Sequence, residues 1–298
     1  MHGSLGSRQK TEDTMTRVAC ALIAALLLAP TPIRISARSR SLQPGEVVLL
    51  SIVLAEGSDT VRVRAFDHDV AAYPDGERTW RALVGVDLDV KPGTYPVTVE
   101  AGTGARRLHA SYDLAIAPRL FRTRRLTVNE AFVTPPASEQ ARIEGEAALL
   151  AEAWKAPAGE RLWSSAFVRP VPQQANSAFG TRSIFNGKPR NPHGGADFLS
   201  PEGTPIHAPN AGRIAVARNL YFSGNTVIID HGLGLFSMLA HMSVIDVREG
   251  DRVTAGQEIG RVGATGRVTG AHLHWAVRAS GARVDPLSLL ALLGTIHG

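Results

Sequence analysis

The chain has a single cysteine, Cys20, among 298 residues, which rules out an intramolecular disulfide framework. Long hydrophobic runs are also scarce. The one prominent run, Val18 to Ala29, is too short to span a bilayer comfortably, and no other stretch approaches spanning length. There is no His-Glu-x-x-His helix and no Gly-x-Ser-x-Gly elbow, so helical zincins and serine hydrolases lose ground. Hydrophobic residues make up 44% and charged residues 20%, the proportions of an ordinary globular protein and not of a disordered one. The formal charge is +5, yet no recognisable nucleic-acid motif accompanies it. That balance suits an anionic envelope surface or plain solvation by arginine. The densest basic cluster is Arg119, Arg122, Arg124 and Arg125.

What is present begins with an export pattern. Arg17 precedes the apolar run, small residues follow, and Pro30 and Pro32 break it, as in a secretory signal peptide over residues 15–32. Met15 opens that pattern, so residues 1–14 read as a leader or a misassigned start. Cleavage after the run would leave a mature chain with no cysteine and no stable membrane span.

Residues 33–118 read as short strands with Pro-Gly turns, such as Pro44-Gly45 and Pro92-Gly93. This spacing predicts a β-sandwich of immunoglobulin-like type. His68 with Asp67 and Asp69 reads as turn chemistry and not as a metal site. Residues 119–165 read as a connector with one helix, N-capped by Ser138 and carrying Ile143, Ala147, Leu150 and Trp154 at helical spacing. The helix should separate two independently folded β domains. Residues 166–298 are β-rich again, apart from a helical PLSLLALL near the end. PEGTPIHAPNAGRI and REGDRVTAGQEIGRV resemble successive hairpins of one sheet system. The second is like the turn of biotinyl and lipoyl domains but has no modifiable lysine. The expected fold class is therefore mainly β.

The chemistry-bearing residues lie in this last part. His193 and Asp197 are four apart in NPHGGADF, His241 stands alone in MLAHMS, and His272 and His274 close GAHLHW. Gly194 and Gly195 argue against a helix, and even separations in an extended segment share one face. His193 and Asp197 can thus point into one site. His272, His274 and Ala276 share one strand face, while Leu273, Trp275 and Val277 turn to the core. Four histidines and one carboxylate can supply three zinc ligands and two spare imidazoles for proton transfer. His207 and His231 read as structural or solvent-facing, and His109 and His297 have no constellation around them.

At these residues the chain resembles the lysostaphin/LytM-type zinc metalloendopeptidases of peptidoglycan. The resemblance spans roughly Ala166 to Leu290 and rests on FGTRSIFNGKPRNPHGGADF, PEGTPIHAPNAGRI, VIIDHGLGLFSMLAHMS, EGDRVTAGQEIGRVGATG and TGAHLHWAV, in that order. It implies a LytM-type antiparallel β catalytic domain, one Zn2+ per chain on His193, Asp197 and His274, and catalytic histidines His241 and His272. Leu239 stands where the family often has Tyr, and Ala271 where it often has Pro. Neither position is a ligand, and none of the five site residues is lost. The resemblance implies hydrolysis of peptide cross-links or stem peptides of peptidoglycan. The alternative is a catalytically silent relative that activates a separate cell-wall amidase. A signal-like start without disulfides points to export, with the Gram-negative periplasm the favoured compartment and a secreted or membrane-anchored protein as the alternatives. That favours a D-Ala–diaminopimelate cross-link as target, with Arg182, Arg190 and Arg218 as candidates to pair with its carboxylate.

Overall fold

Strands dominate the computed structural model, which describes residues 32–102, 107–127, 130, 133–155, 157–177 and 179–294. The leader 1–14, nearly all of the signal segment 15–32 with Cys20, and His297 lie outside the described residues. None of the described helices is long and apolar enough to cross a membrane.

The first part folds as two four-stranded antiparallel sheets. One orders Ile33–Arg38, Val47–Leu54, Thr79–Gly85 and Ala72–Pro74; the other orders His68–Val70, Val61–Ala65, Gly93–Ala101 and Leu108–Ile116. Period-2 burial explains the layering: Val61, Val63 and Ala65 are buried while Arg62 and Arg64 face solvent. The Phe66-Asp67 turn has both φ values positive, at 48° and 63°. That is the primed hairpin geometry that matches strand twist, and it accounts for the residues around His68 without a metal.

Val47–Leu54 does two jobs. Val48, Leu50, Ile52 and Leu54 enter the sandwich core. Val47 and Leu49, on the opposite face, join the core of the second part together with Tyr73 and Leu83. From Thr31 onward the chain forms one compact unit. Buried Glu46 anchors the junction. It accepts hydrogen bonds from Arg40 Nη2 at 2.6 Å and from Ser288 Oγ at 2.8 Å. Arg40 Nη2 also donates to Asp285 at 2.7 Å.

The second part is a ten-stranded sheet whose main path runs Ala175–Ser177, Gly195–Phe198, Leu273–Ala279, Leu235–Ile245, Gly224–Gly232, Gly212–Leu220 and Arg252–Val253. The two turn-rich segments do share this sheet, but they are not self-paired hairpins. Pro205–His207 pairs with Glu258–Val262, and Gly212–Leu220 pairs with Arg252–Val253. Each segment's turn directs its two strands to partners in the other segment, a long-range choice that local turn chemistry does not encode. The closing helix α2, Pro286–Leu293, is capped by Asp285, whose side chain accepts from the Leu287 N–H.

The connector differs from expectation in two ways. Thr123–Leu126 adds a parallel strand to Arg182–Phe185. The helix α1, Gln140–Lys155, is present, but Ser138 does not cap it. Ser138 lies inside a short 3₁₀ turn, Ala137–Glu139, that precedes α1 and starts after Pro136. Proline fixes that entry without a side-chain acceptor. On α1, Leu149, Leu150, Ala153 and Trp154 pack against Val216, Ile228 and Phe236.

Candidate metal centre

Local sequence explains how each side chain reaches the site. Leu273–Ala279 shows the alternation the sequence predicts: Leu273, Trp275 and Val277 are buried, while His274 and Ala276 on the other face are partly exposed. Gly195–Phe198 pairs beside this strand and sets Asp197 opposite His274. A Cβ on Gly195 would lie 2.9 Å from the His274 ring, so this approach requires glycine. His193 precedes the strand, fixed by its N–H donating to the Thr181 carbonyl at 2.9 Å.

Three ligand-type atoms converge. His193 Nε2 lies 3.0 Å from Asp197 Oδ1 and 3.1 Å from His274 Nδ1, and His274 Nδ1 lies 2.8 Å from Asp197 Oδ1. A tetrahedral zinc with bonds of roughly 2.0–2.1 Å separates its ligand atoms by ~3.4 Å, close to this triangle. Two imidazole nitrogens and one carboxylate oxygen also form a donor set suited to zinc. These residues therefore fit a metal ion. Burial raises the Asp197 pKa, but hydrogen bonds from His193 and His274 outweigh it and hold the carboxyl well below its usual range. Burial lowers the His274 pKa against the opposing pull of Asp197. Anionic carboxylate and neutral imidazole are the ligating forms.

The two remaining histidines stand next to this triangle. His241 sits in a bulge of Leu235–Ile245, where the register slips between Asn225 and Val227 of the neighbouring strand. Its φ of 64° is left-handed, a costly conformation for a residue with a Cβ. The bulge re-aims the side chain out of the strand's alternation. His241 Nδ1 donates to the Thr265 carbonyl at 3.0 Å, and His272 Nδ1 donates to the Gly270 carbonyl at 2.9 Å. A carbonyl only accepts, so Nδ1 carries a proton in both rings, and the tautomer this selects leaves Nε2 as the acceptor nitrogen. His272 Nε2 lies 3.8 Å from Asp197 Oδ1. Burial, with charge repulsion from His274, pushes the His241 pKa down to about 4, which keeps the ring neutral near pH 7.

All five residues singled out from the sequence thus meet at one place. Sequence reasoning missed Thr265 and Gly270, which orient the two histidines through backbone carbonyls and so leave no side-chain signal. His231 is not solvent-facing. It is fully buried between the Ala211 carbonyl and Ser237 Oγ. The three arginines fall in different places. Arg182 and Arg190 line one cavity of about 460 Å³ beside Pro192. Arg218 pairs with Glu249 through two bonds of 2.7 and 2.6 Å.

Two histidine nitrogens and one aspartate oxygen converging on one point form a site that could hold a metal ion. The model of peptidase family M23 matches residues 191–286. A solved structure of a putative peptidase M23 from Pseudomonas aeruginosa is 32% identical, with a TM-score of 0.66, over 84% of this chain and 95% of that one. The chain belongs to peptidase family M23. Among curated relatives, the peptidoglycan DD-endopeptidase ShyA of Vibrio cholerae is 42% identical over 96 residues, 32% of this chain and 22% of that protein. The DD-carboxypeptidase/endopeptidase Mpg of Neisseria meningitidis is 41% identical over 97 residues, 33% of this chain and 22% of that protein. The chain matches only about a fifth of the length of these relatives.

Proposed function

We propose that this protein is a zinc-dependent endopeptidase that hydrolyses peptide cross-links or stem peptides of bacterial peptidoglycan. The observation that carries the reading is the convergence of His193 Nε2, Asp197 Oδ1 and His274 Nδ1 beside two further histidines with acceptor Nε2 atoms. The names of the curated relatives support peptidoglycan as substrate.

One Zn2+ per chain, held by His193, Asp197 and His274, would polarise the scissile carbonyl and acidify the attacking water. The rest is done by the chain's own groups. One of His241 and His272 accepts the proton of the attacking water at Nε2, and the other orients that water by accepting its remaining O–H. The imidazolium so formed donates a hydrogen bond to the charge that develops on the carbonyl oxygen and then passes that same proton to the leaving amine. The Thr265 and Gly270 carbonyls hold both rings in the tautomer this needs. A complete set of five argues against a silent amidase activator, which needs the fold but not the ligands.

In this reading residues 33–118 are an immunoglobulin-like sandwich, 119–165 a connector and 166–298 the peptidase domain. The protein is exported, with the periplasm as its compartment, and the bond cut is D-Ala–diaminopimelate. Arg182 and Arg190, on their shared cavity, remain candidates for the substrate carboxylate. Arg218 already has a carboxylate partner in Glu249 and is the weakest of the three. The test is digestion of purified peptidoglycan of known cross-link, with mass spectrometry of the products. Diaminopimelate-type dimers should fall to monomers, and pentaglycine should remain intact. Preferential cleavage of pentaglycine would overturn the bond assignment.

A further inference from the structure

A cavity of about 230 Å³ separates α1 from the strand Leu273–Ala279, and its walls include Leu150, Trp154, Gly194, His274, Ala276 and Arg278. One end reaches a residue of the ligand triangle. The other reaches Arg278. His274, Ala276 and Arg278 lie on one face of the strand by period-2 alternation. Phe236, Met238 and Ala240 pair across from Arg278, Ala276 and His274, so they share that face. The helix α1 therefore packs on the face that carries the metal centre, and it walls a channel leading away from it. Four residues of strand put Arg278 ~13 Å along the channel from His274.

Arg278 is the notable group in that channel. Its guanidinium carbon lies 4.9 Å from the centroid of the Trp154 ring. Trp154 in turn meets Phe236 edge-on with centroids 5.4 Å apart. Among the described residues Arg278 makes one hydrogen bond, from Nη1 to the Gly281 carbonyl at 3.1 Å, and no ion pair. Its neighbour Arg283 differs: it has two carboxylate partners, Asp87 and Asp89, each at 2.7 Å. Burial lowers the Arg278 pKa and the positive charge of Arg283 adds to the effect, against a smaller opposing pull from Asp87. Asp87 is near enough to act on Arg278 through charge but bonds directly to Arg283, so the partly withdrawn Arg278 guanidinium has no carboxylate in direct contact among the described residues, and an arriving carboxylate would supply one.

We propose that this cavity is a substrate subsite in which Arg278 binds a carboxylate of the peptide, while Leu150 and Trp154 pack against the peptide's aliphatic groups. The inference deepens the endopeptidase reading and rests on it. It also gives α1 a role as one wall of the substrate channel. The carboxylate is either the peptide's C-terminus or one on a side chain.

Titration calorimetry on the full chain separates these sources. The probes are linear stem tetrapeptides ending in D-Ala: with all carboxylates free, with the C-terminus amidated, or with the side-chain carboxylates amidated. The free peptide should bind roughly 10–100-fold more tightly than one of the amidated forms, and that form names the source. Arg278→Gln should bind all three equally weakly. In turnover of cross-linked dimers it should raise KM with kcat little changed, because Arg278 is remote from the reacting atoms. Equal binding of all probes by the parent, no binding of any, or undiminished binding by a folded Arg278→Gln would each overturn the subsite. If the Gln variant does not fold, Arg278→Lys keeps the charge without the planar fork. Affinity between parent and amidated-probe levels supports the proposal, and full affinity with no loss on amidation contradicts it. Carboxylate-selective binding that depends on Arg278, without cleavage of any peptidoglycan, would sink the endopeptidase reading and leave the subsite standing. Cleavage that is indifferent to Arg278 would do the reverse.

Discussion

His241 and His272 face each other with ring centroids 4.8 Å apart, and each is tied through Nδ1 to a backbone carbonyl. Neither is needed to complete the three-atom ligand triangle. Replacing either with Ala should therefore leave zinc content near one per chain and lower turnover by about 10²-fold or more. Metal analysis beside a hydrolysis assay checks this. Unchanged hydrolysis in both variants would remove them from the mechanism.

The ligand triangle should respond differently. His193→Ala deletes one of three ligand atoms and should lose zinc. In the parent chain, zinc affinity should fall as pH drops, because His193 and His274 must be neutral to ligate and protons compete for them. Competition with a chromogenic chelator between pH 5 and 8 would measure it. An affinity independent of pH would contradict histidine ligation.

Away from the site, His231 makes a pH-dependent contribution to stability. Burial pushes its pKa down to about 4, against a smaller opposing effect of the Ala211 carbonyl. In the unfolded chain its pKa is near 6.5. The native state is favoured in full above pH ~6.5, where both states are neutral. As pH falls toward 4 the unfolded chain takes the proton first, so ~3 kcal/mol of stability is lost across that window. Denaturant unfolding as a function of pH should show this slope, and His231→Gln should flatten it. An equal slope in the variant would assign the acid sensitivity elsewhere.

The junction between the two parts should be a weak point when altered. Glu46 side-chain exposure is 2%, and Arg40 and Arg119 both pair with it. Glu46→Ala should cost ~1–3 kcal/mol, since it leaves buried Ser288 Oγ without its acceptor and takes one of two carboxylates from Arg40 and Arg119. A chain starting near Leu162 would lose Val47, Leu49, Tyr73 and Leu83 from the core they share with the second part. The sequence reading expects such a chain to fold alone. The shared core predicts that it is markedly less stable than the full chain, measurable by thermal unfolding. Equal melting temperatures would show that the sandwich face contributes nothing.

Much of the site was legible because strand alternation is a local signal. The period-2 pattern of His272 to Val277 predicts which side chains face the core, and the burial follows it. The two glycines after His193 likewise announce an extended segment. Pairings between distant segments were not legible. Nothing near Thr123–Leu126 says that it joins Arg182–Phe185 in parallel. The left-handed backbone at His241 was equally hidden, because a bulge depends on register with the neighbouring strand. The docking face of α1 was ambiguous for a physical reason. It buries no residue completely, and Ala147, although in the helical pattern, remains exposed.

As proposed above, these five residues form a working zinc peptidase centre for the peptidoglycan cross-link. Its most direct test is incubation of the full chain, loaded with one equivalent of zinc, with purified diaminopimelate-type cross-linked dimers, followed by mass spectrometry. The account predicts conversion to monomers by hydrolysis of the D-Ala–diaminopimelate bond, abolished in His193→Ala. Intact dimers after incubation with the zinc-loaded, folded parent chain would contradict it.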